Sequence, residues 1–263
     1  MNVPMSRIEA IDKWFESTRT SRGYGGPIVH WWESCLGFTG AMADWRYEGI
    51  VCGYLNLYRR TDDEKWLQKA VRAGEDLLMA QRLDGCFDCS SFQRGPISGG
   101  TPHEAAVDIA LLELASCLKD LGKSSWKNYA ESAKRNIEDY HLKSLASFNG
   151  FVDQPGSQVV VSNKNATILE ALLLAEQTIG CDYSTYITLA TNAVLSAQST
   201  FLDSYGGDIH YGSSPHFLIT GIYTARSVSA VIRLYRLKGI PVLKEYIQRY
   251  IDYLRSLVTP SGT

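Results

Sequence analysis

A spacing of 60 residues runs through the chain. Alanines stand at this interval inside helical hydrophobic patterns, and a tyrosine continues the series: Ala10, Ala70, Ala130, Ala190 and Tyr250. Each of the first four helical segments in this series is followed by a loop, a second and more apolar helical segment, and a short turn. A fixed period of this kind is typical of an architecture built from repeated helix pairs. We therefore expect about four complete pairs in the 263 residues, with a ninth helix opening a fifth unit.

The two helices of each pair differ in hydrophobic pattern, which predicts how the pairs are arranged. The first helix is amphipathic, as in residues 65–82, and faces solvent on one side. The second is apolar nearly all round, as in residues 166–178, and must be enclosed. An inner ring of apolar helices inside an outer ring of amphipathic ones satisfies both requirements. We predict an all-α fold, an α/α barrel or toroid, as one domain over residues 1–263. A solenoid of stacked pairs is the alternative, which the long loops disfavour.

Composition and charge narrow the classes of partner. Hydrophobic residues make up 45% and charged residues 21% of the chain, which are values of a globular protein rather than a disordered one. The net charge of −2, without a Lys/Arg cluster, predicts no nucleic-acid partner. Because no apolar run has membrane-spanning length and the N-terminus reads as an amphipathic helix, we expect a cytoplasmic protein without a membrane partner. The apolar stripe of residues 241–258 must be covered, either within the chain or in a homodimer.

The six cysteines are scattered and are expected to be reduced. Cys86 and Cys89 form a single C-x-x-C, and His103 follows at a distance that would allow a third ligand. A structural zinc site usually needs four ligands from two such pairs. We therefore predict no bound metal and no cofactor.

One stretch of the chain resembles a known superfamily. Tyr47-Glu48-Gly49-Ile50 and Gly53-Tyr54 lead through Trp66-Leu67 and Gln81 to Asp84-Gly85-Cys86-Phe87. This stretch resembles the six-hairpin α/α-toroid superfamily of carbohydrate-active enzymes, which includes unsaturated-uronyl hydrolases, N-acylglucosamine epimerases, uronate C5-epimerases and several polysaccharide lyases. The resemblance is sharp over residues 45–87 and implies a toroid that handles sugars, although the chain is too short for six pairs.

Two other classes of function stay open beside the sugar enzyme. The pattern Gln-x-x-Asp-Gly-x-aromatic is also similar to the repeat of triterpene cyclases and protein prenyltransferase β-subunits, so an isoprenoid-handling toroid is one alternative. A non-catalytic binding scaffold is the other. The lining of the central cavity separates the three: carboxylates with aromatics favour a sugar, aromatics alone favour a terpenoid, and a filled cavity favours a scaffold.

The first candidate site lies around the start of the second helix. In a toroid the long loops open at one end, above a cavity ringed by the N-termini of the inner helices. Asp44 and Glu48 are four residues apart there, and two carboxylates that lie close together raise one pKa, as a general acid requires. Trp31, Trp32 and Trp45 offer flat apolar faces to sugar rings. The alternative is that the tryptophans fill the barrel and the acids complement the helix dipole.

Two further candidate sites follow along the chain. Glu104, preceded by His103, opens the fourth helix, where an ionised carboxylate suits a base or nucleophile; an ordinary first-turn acid is the alternative. Asp208, His210 and Tyr211 stand in a glycine-containing loop that is dense in titratable groups, with an exposed polar loop as the alternative.

The sequence thus predicts an enzyme that acts on an oligosaccharide, with uronate-containing chains among the expected substrates, by acid/base chemistry. Glycoside hydrolysis is one reaction that fits, and epimerisation or elimination at a uronate is the other. The catalytic candidates are Asp44, Glu48, Glu104, Asp208 and His210. The substrate-binding candidates are Trp31, Trp32, Trp45, His103 and Tyr211.

Overall fold

The computed structural model describes residues 5–28, 37–39, 41–89, 100–197 and 221–258. This part of the chain contains nine α-helices: α1 Met5–Ser17, α2 Arg46–Thr61, α3 Glu64–Ala80, α4 Gly100–Asp120, α5 Trp126–Asn136, α6 Ser162–Ile179, α7 Ser184–Ser196, α8 Gly221–Lys238 and α9 Leu243–Ser256. Helix α5 continues into a π-helix, Ile137–Leu145. Three short antiparallel strand pairs complete the described elements: β1 Arg19–Thr20 with β2 Gly23–Tyr24, β3 Gly26–Ile28 with β4 Gly37–Thr39, and β5 Ala146–Ser147 with β6 Gly150–Phe151.

The helices form two layers, as the difference in hydrophobic pattern predicts. Helix α2 packs on α4, α4 on α6 and α6 on α8, which makes these four the inner layer. Helices α3, α5, α7 and α9 pack on their outer side. Helix α6 is buried nearly all round and α4 is buried along the stretch from Glu104 to Leu112, whereas α3 buries one face only. The prediction of an all-α toroid with four helix pairs and a ninth helix is confirmed.

The ends of the helices follow the local sequence. Helix α2 stops at Asp62, which takes a left-handed backbone conformation with a φ of 54°. The carboxylate of Asp63 then accepts a hydrogen bond from the backbone N–H of Lys65 at 3.0 Å and caps α3, a role that aspartate favours at this position. At the other end of the hairpins, the backbone N–H of Ala43 donates to the carbonyl of Asp88 at 3.1 Å, so the first two long loops meet.

Some local features depart from the sequence prediction. Helix α6 begins at Ser162, four residues before the apolar pattern starts at Ala166, because its first turn is polar. Asn165 lies in this part of the helix, and its side chain donates to the carbonyl of Phe151 and accepts from the N–H of Phe151, at 2.9 and 2.8 Å. The strand pairs and the π-helix were likewise not predicted.

Among the helices that the structure describes, none has the length and apolar content needed to cross a membrane. The described cysteines are free thiols: Cys52, Cys86, Cys89, Cys117 and Cys181. Cys35 lies outside the described residues.

Candidate functional site

We call the region between the four inner helices the lumen, and charged side chains from all four meet in it. Carboxylates and guanidinium groups alternate in the order Glu48, Arg226, Glu170, Arg233, Glu113, Arg59, a set that we call the lumen ion chain. These residues come from α2, α4, α6 and α8. Arg226 and Arg233 are seven residues apart on α8, which is about two helical turns. Their side chains therefore point in the same direction.

The first half of the lumen ion chain lies near the loop end of the hairpins. Glu48 belongs to the first turn of α2, and its Oε1 accepts from Nη1 of Arg226 at 2.6 Å. The same Nη1 is 3.4 Å from Oε2 of Glu170 on α6. Nε of Arg226 donates to Oγ1 of Thr167 at 3.1 Å, which fixes the guanidinium between α2, α6 and α8.

The second half leads away from the loop end. Nε of Arg233 is 3.1 Å from Oε1 of Glu170, and its Nη2 is 3.1 Å from Oε1 of Glu113. Nη2 of Arg59, in the last turn of α2, is 3.4 Å from Oε2 of Glu113. The ion chain therefore runs along the lumen from the first turn of α2 to its last turn, with three groups of each sign.

Several buried polar atoms near the loop end lack a hydrogen-bond partner among the described residues. They are Nη2 of Arg226, Oδ1 of Asn163 and Oγ of Ser227. Asn163 lies one turn before Thr167 on the same face of α6, and it is 7% exposed. Leaving a buried donor or acceptor unpaired costs about 1–3 kcal/mol. Native proteins leave few such groups, so these three atoms are candidates for contact with a ligand.

The protonation of Glu48 is controlled by its surroundings. Burial raises its pKa, and the negative charge of Glu170 acts in the same direction, whereas Arg226 and Arg233 oppose the rise; the net pKa is raised. The side chain keeps 22% of its surface exposed, so solvent and a ligand reach it. A carboxyl that is accessible and has a raised pKa suits proton transfer.

Asp44 pairs with Arg46 and is not one of the groups that chiefly set the pKa of Glu48. Its carboxylate is fully buried and accepts from the backbone N–H of Arg46 at 2.9 Å and from the guanidinium of Arg46 at 2.6–2.9 Å. The raised pKa of Glu48 comes from burial and Glu170 instead. Trp45, between the two acids, is 49% exposed.

Glu104 faces away from the lumen. It is fully buried, and its carboxylate accepts from the N–H of Phe87 at 3.2 and 3.3 Å and from Nδ2 of Asn136 at 2.8 Å. Asn136 belongs to α5, in the outer layer. Glu113 follows nine residues later, about two and a half helical turns, and so lies on the opposite face of α4. The structure thus separates Glu104 from Glu48.

A buried acid–histidine pair extends this outward-facing cluster. Nε2 of His141, on the π-helix, is 3.0 Å from Oδ2 of Asp108, and both side chains are almost completely buried. Burial raises the pKa of Asp108, with a further contribution from Glu104, and lowers the pKa of His141 to about 3. Burial therefore favours the neutral form of both groups.

Other predicted site residues cannot be placed in the same way. Trp31, Trp32, Asp208, His210 and Tyr211 lie outside the described residues. The backbone of His103 belongs to the first turn of α4. Within the described ranges, no three His, Cys, Asp or Glu side chains converge in a way that would hold a metal ion.

Sequence reasoning missed the residues that complete the lumen ion chain. Glu170 sits in the strongly apolar helix α6, and Arg226 and Arg233 lie on one face of α8. A charge on a helix that is otherwise enclosed is expensive unless it is paired. That signal was present in the sequence and could have identified Glu170.

Comparisons with known proteins support the fold. No protein-family model and no curated protein matches the sequence. The unsaturated glucuronyl hydrolase of Bacillus sp. GL1 matches at a TM-score of 0.61 and 12% identity, over 82% of this chain and 62% of that one. An α-mannanase of Bacteroides thetaiotaomicron from family GH76 matches at 0.66 and 14%, over 98% and 72%.

The cellobiose 2-epimerase of Bacillus thermoamylovorans matches at a TM-score of 0.63 and 9% identity, over 83% of this chain and 61% of that one. This chain thus spans less than two thirds of the hydrolase and of the epimerase. At these identities the likeness establishes the toroid fold. The resemblance seen in residues 45–87 is confirmed at the level of the fold.

Proposed function

We propose that this protein is a carbohydrate-active enzyme that acts on an oligosaccharide by acid/base chemistry at the loop end of the lumen. Glu48 is the proposed proton-transferring carboxyl, and Arg226 is the proposed donor to an oxygen of the substrate. The observation that carries the proposal is the pairing of a solvent-reachable carboxyl of raised pKa with an arginine whose Nη2 is buried without a partner in the described residues.

The chemistry follows from the two groups. With a raised pKa, Glu48 keeps a larger protonated fraction at neutral pH, and in that form it can donate a proton to a leaving or ring oxygen. Nη2 of Arg226 and Oδ1 of Asn163 offer one donor and one acceptor to sugar hydroxyls. The exposed ring of Trp45, three residues before Glu48, offers an apolar face to the sugar.

The other sequence candidates take different parts in this proposal. Asp208 and His210 are proposed as the second acid/base pair, because they precede α8, the helix that carries Arg226. Trp31, Trp32, Tyr211 and His103 are proposed as substrate contacts. Asp44 and Glu104 are assigned to holding the loops in place, because both are fully buried and bonded to neighbouring residues.

The structural neighbours suggest which reactions to test. Their names describe glycoside hydrolysis, 2-epimerisation and, for a D-mannose isomerase that matches at a TM-score of 0.62 and 13% identity, isomerisation. Each of these reactions moves protons to or from sugar atoms, so each can use a carboxyl such as Glu48. An isoprenoid substrate is less suited to a lumen lined by six charged side chains.

The test is a panel of unsaturated uronyl oligosaccharides, manno-oligosaccharides and cellobiose, assayed for new reducing ends and, by NMR, for epimerised or isomerised products. We expect turnover of one class, and a loss of roughly 100- to 10,000-fold in kcat for Glu48→Gln. Glu176→Gln removes the same charge from an α6 residue that pairs with Lys238 outside the lumen ion chain, and as the matched control it should stay within a few-fold of the wild type. Equal activity in Glu48→Gln and the wild type would refute the assignment of Glu48.

A non-catalytic sugar-binding scaffold is the second candidate, and it is favoured by one observation: ion pairs between four helices cross the lumen. Calorimetric binding of an oligosaccharide without any turnover across the panel would favour it over the enzyme.

A further inference from the structure

We propose that Glu170 is a positioning residue that governs how strongly Arg226 pairs with Glu48. The effect of Glu170 on turnover rests on the proposed function, whereas its effect on the pKa of Glu48 does not. Glu170 is 7% exposed in its side chain and comes from α6, whereas Glu48 comes from α2. The two carboxylates are 122 residues apart in sequence and share Arg226 as a partner.

The geometry shows a competition for one nitrogen. Nη1 of Arg226 is 2.6 Å from Glu48 and 3.4 Å from Glu170, so both carboxylates draw on the same positive charge. Oε2 of Glu170 has no hydrogen bond of its own, which shows that it reaches Arg226 at ion-pair distance without fully engaging it. The closer partner of Glu170 is Nε of Arg233, at 3.1 Å.

Arg233 therefore restrains Glu170, and Glu113 restrains Arg233 at 3.1 Å. In this arrangement Glu170 draws part of the charge of Arg226 away from Glu48 and also repels Glu48 directly. Both effects favour the protonated form of Glu48, whereas a lone Arg226 would stabilise the ionised form.

Among the described residues, the charged and titratable groups that act on Glu48 come from three helices. Arg226 and Arg233 lie on α8, Glu170 on α6, and Cys52 on α2 itself. The thiol of Cys52 has a pKa raised to about 12 by burial and by the nearby carboxylates, so it stays neutral at physiological pH. Beside burial, the pKa of Glu48 therefore depends on one carboxylate, Glu170, which raises it, and on two arginines, which lower it.

Two substitutions should move the protonation of Glu48 in opposite directions. In Glu170→Gln, the competing charge and the repulsion both disappear, so the pKa of Glu48 should fall by about one unit. In Arg233→Gln, a positive charge is lost and Glu170 is released toward Arg226, so the pKa of Glu48 should rise. A residue that served only packing would not give shifts of opposite sign in these two variants.

Glu176→Gln is the matched control. Glu176 also lies on α6, but its carboxylate pairs with Lys238 at 2.6 Å and not with the lumen ion chain. The same charge is removed from the same helix, and the pKa of Glu48 should not move.

The experiment is a pH titration by NMR of the full-length protein labelled with 13C at the glutamate carboxyls, with the Glu48 signal assigned by its absence in Glu48→Gln. The proposal is supported if the titration midpoint of Glu48 is lower in Glu170→Gln, higher in Arg233→Gln and unchanged in Glu176→Gln. Unchanged midpoints in the first two, or shifts of the same sign, would overturn it. If Glu170→Gln does not fold, Arg233→Gln alone decides, since only an upward shift agrees.

A second arm separates this inference from the proposed function. On whichever substrate of the panel is turned over, the alkaline limb of the pH–rate profile should shift with the NMR midpoint, toward lower pH in Glu170→Gln and higher pH in Arg233→Gln. NMR shifts of the expected signs without any turnover would refute the enzyme and retain the positioning role of Glu170. Turnover with unchanged NMR midpoints would do the reverse.

Discussion

The two faces of α4 carry acidic side chains of the same type in different environments. On the lumen face, Glu113 pairs with Arg59 and Arg233 and keeps 17% of its side chain exposed. On the outer face, Glu104 and Asp108 are fully buried against Asn136, on α5, and His141, on the π-helix. The difference is one of helical phase, and it shows that a carboxylate near the start of an inner helix does not by itself belong to the lumen.

The physical balance also differs between the faces. In the lumen, partial exposure to water lowers the cost of holding three carboxylates and three guanidinium groups together. On the outer face no guanidinium of the described residues pairs with Asp108, and burial instead favours neutral forms of Asp108 and His141. The lumen face can therefore change its charge when a ligand enters, whereas the outer face holds one protonation state as part of the fold.

The largest expected effect on stability tests this contrast directly. Glu104→Ala leaves the N–H of Phe87 and a donor of Asn136 without a buried acceptor, so the free energy of unfolding should fall by about 3 kcal/mol. Glu113→Ala frees two arginines that water reaches, and should cost about 1 kcal/mol.

Urea unfolding of the two variants measures the difference. If the two substitutions cost the same free energy, the distinction between the faces of α4 is wrong. Glu104→Gln serves as the control for shape, since its amide oxygen can still accept from Phe87, and it should cost less than Glu104→Ala.

The next effect concerns the pH dependence of stability. The Asp108–His141 pair keeps one proton over a wide range, because the pKa of Asp108 is raised and that of His141 is lowered to about 3. The unfolded chain binds two protons at these sites below pH ~3.9, one between ~3.9 and ~6.5, and none above. The pair thus leaves stability unchanged with pH between ~3.9 and ~6.5. It lowers stability both as the pH falls below that range and as the pH rises above it, until Asp108 ionises.

Asp108→Asn removes the carboxyl group that holds the proton of the Asp108–His141 pair. His141 then stays neutral in the folded protein while it is protonated in the unfolded chain below pH ~6.5, so stability should rise with pH up to that value, by at most ~1.4 kcal/mol per unit. Urea midpoints measured between pH 4 and 8 for the variant and the wild type check this. The same slope in both proteins between pH 4 and 6.5 would contradict a shared proton.

Much of the fold could be predicted because it depends on periodic patterns that are local in the sequence. The nine helices follow from alternating amphipathic and apolar segments, and Asp63 caps α3 where the sequence places it. The π-helix has no comparable signal, because its i→i+5 bonding leaves no distinct hydrophobic period in the sequence.

The candidate site could be predicted only in part. The placement of Glu48 at the start of an inner helix follows from the repeat, and the helix is where it is expected. Its partner Arg226 is 178 residues away in sequence, and their contact depends on how the inner helices surround the lumen. The pairing of Asp44 with Arg46 has a local cause, since the turn before α2 brings the two residues together, but its geometry cannot be read from residue types alone.

The smallest expected effect lies at the far end of the lumen ion chain. Arg59 is 46% exposed and reaches Glu113 at 3.4 Å, so Arg59→Gln should change the free energy of unfolding by less than about 0.5 kcal/mol. Glu113 keeps Arg233 as its partner, and four successive ion pairs link Glu113 to Glu48. Both the midpoint of Glu48 by NMR and kcat should therefore stay at wild-type values. A shift in Arg59→Gln as large as that in Arg233→Gln would mean that charge acts along the whole lumen, so that the two ends of the ion chain respond as one unit.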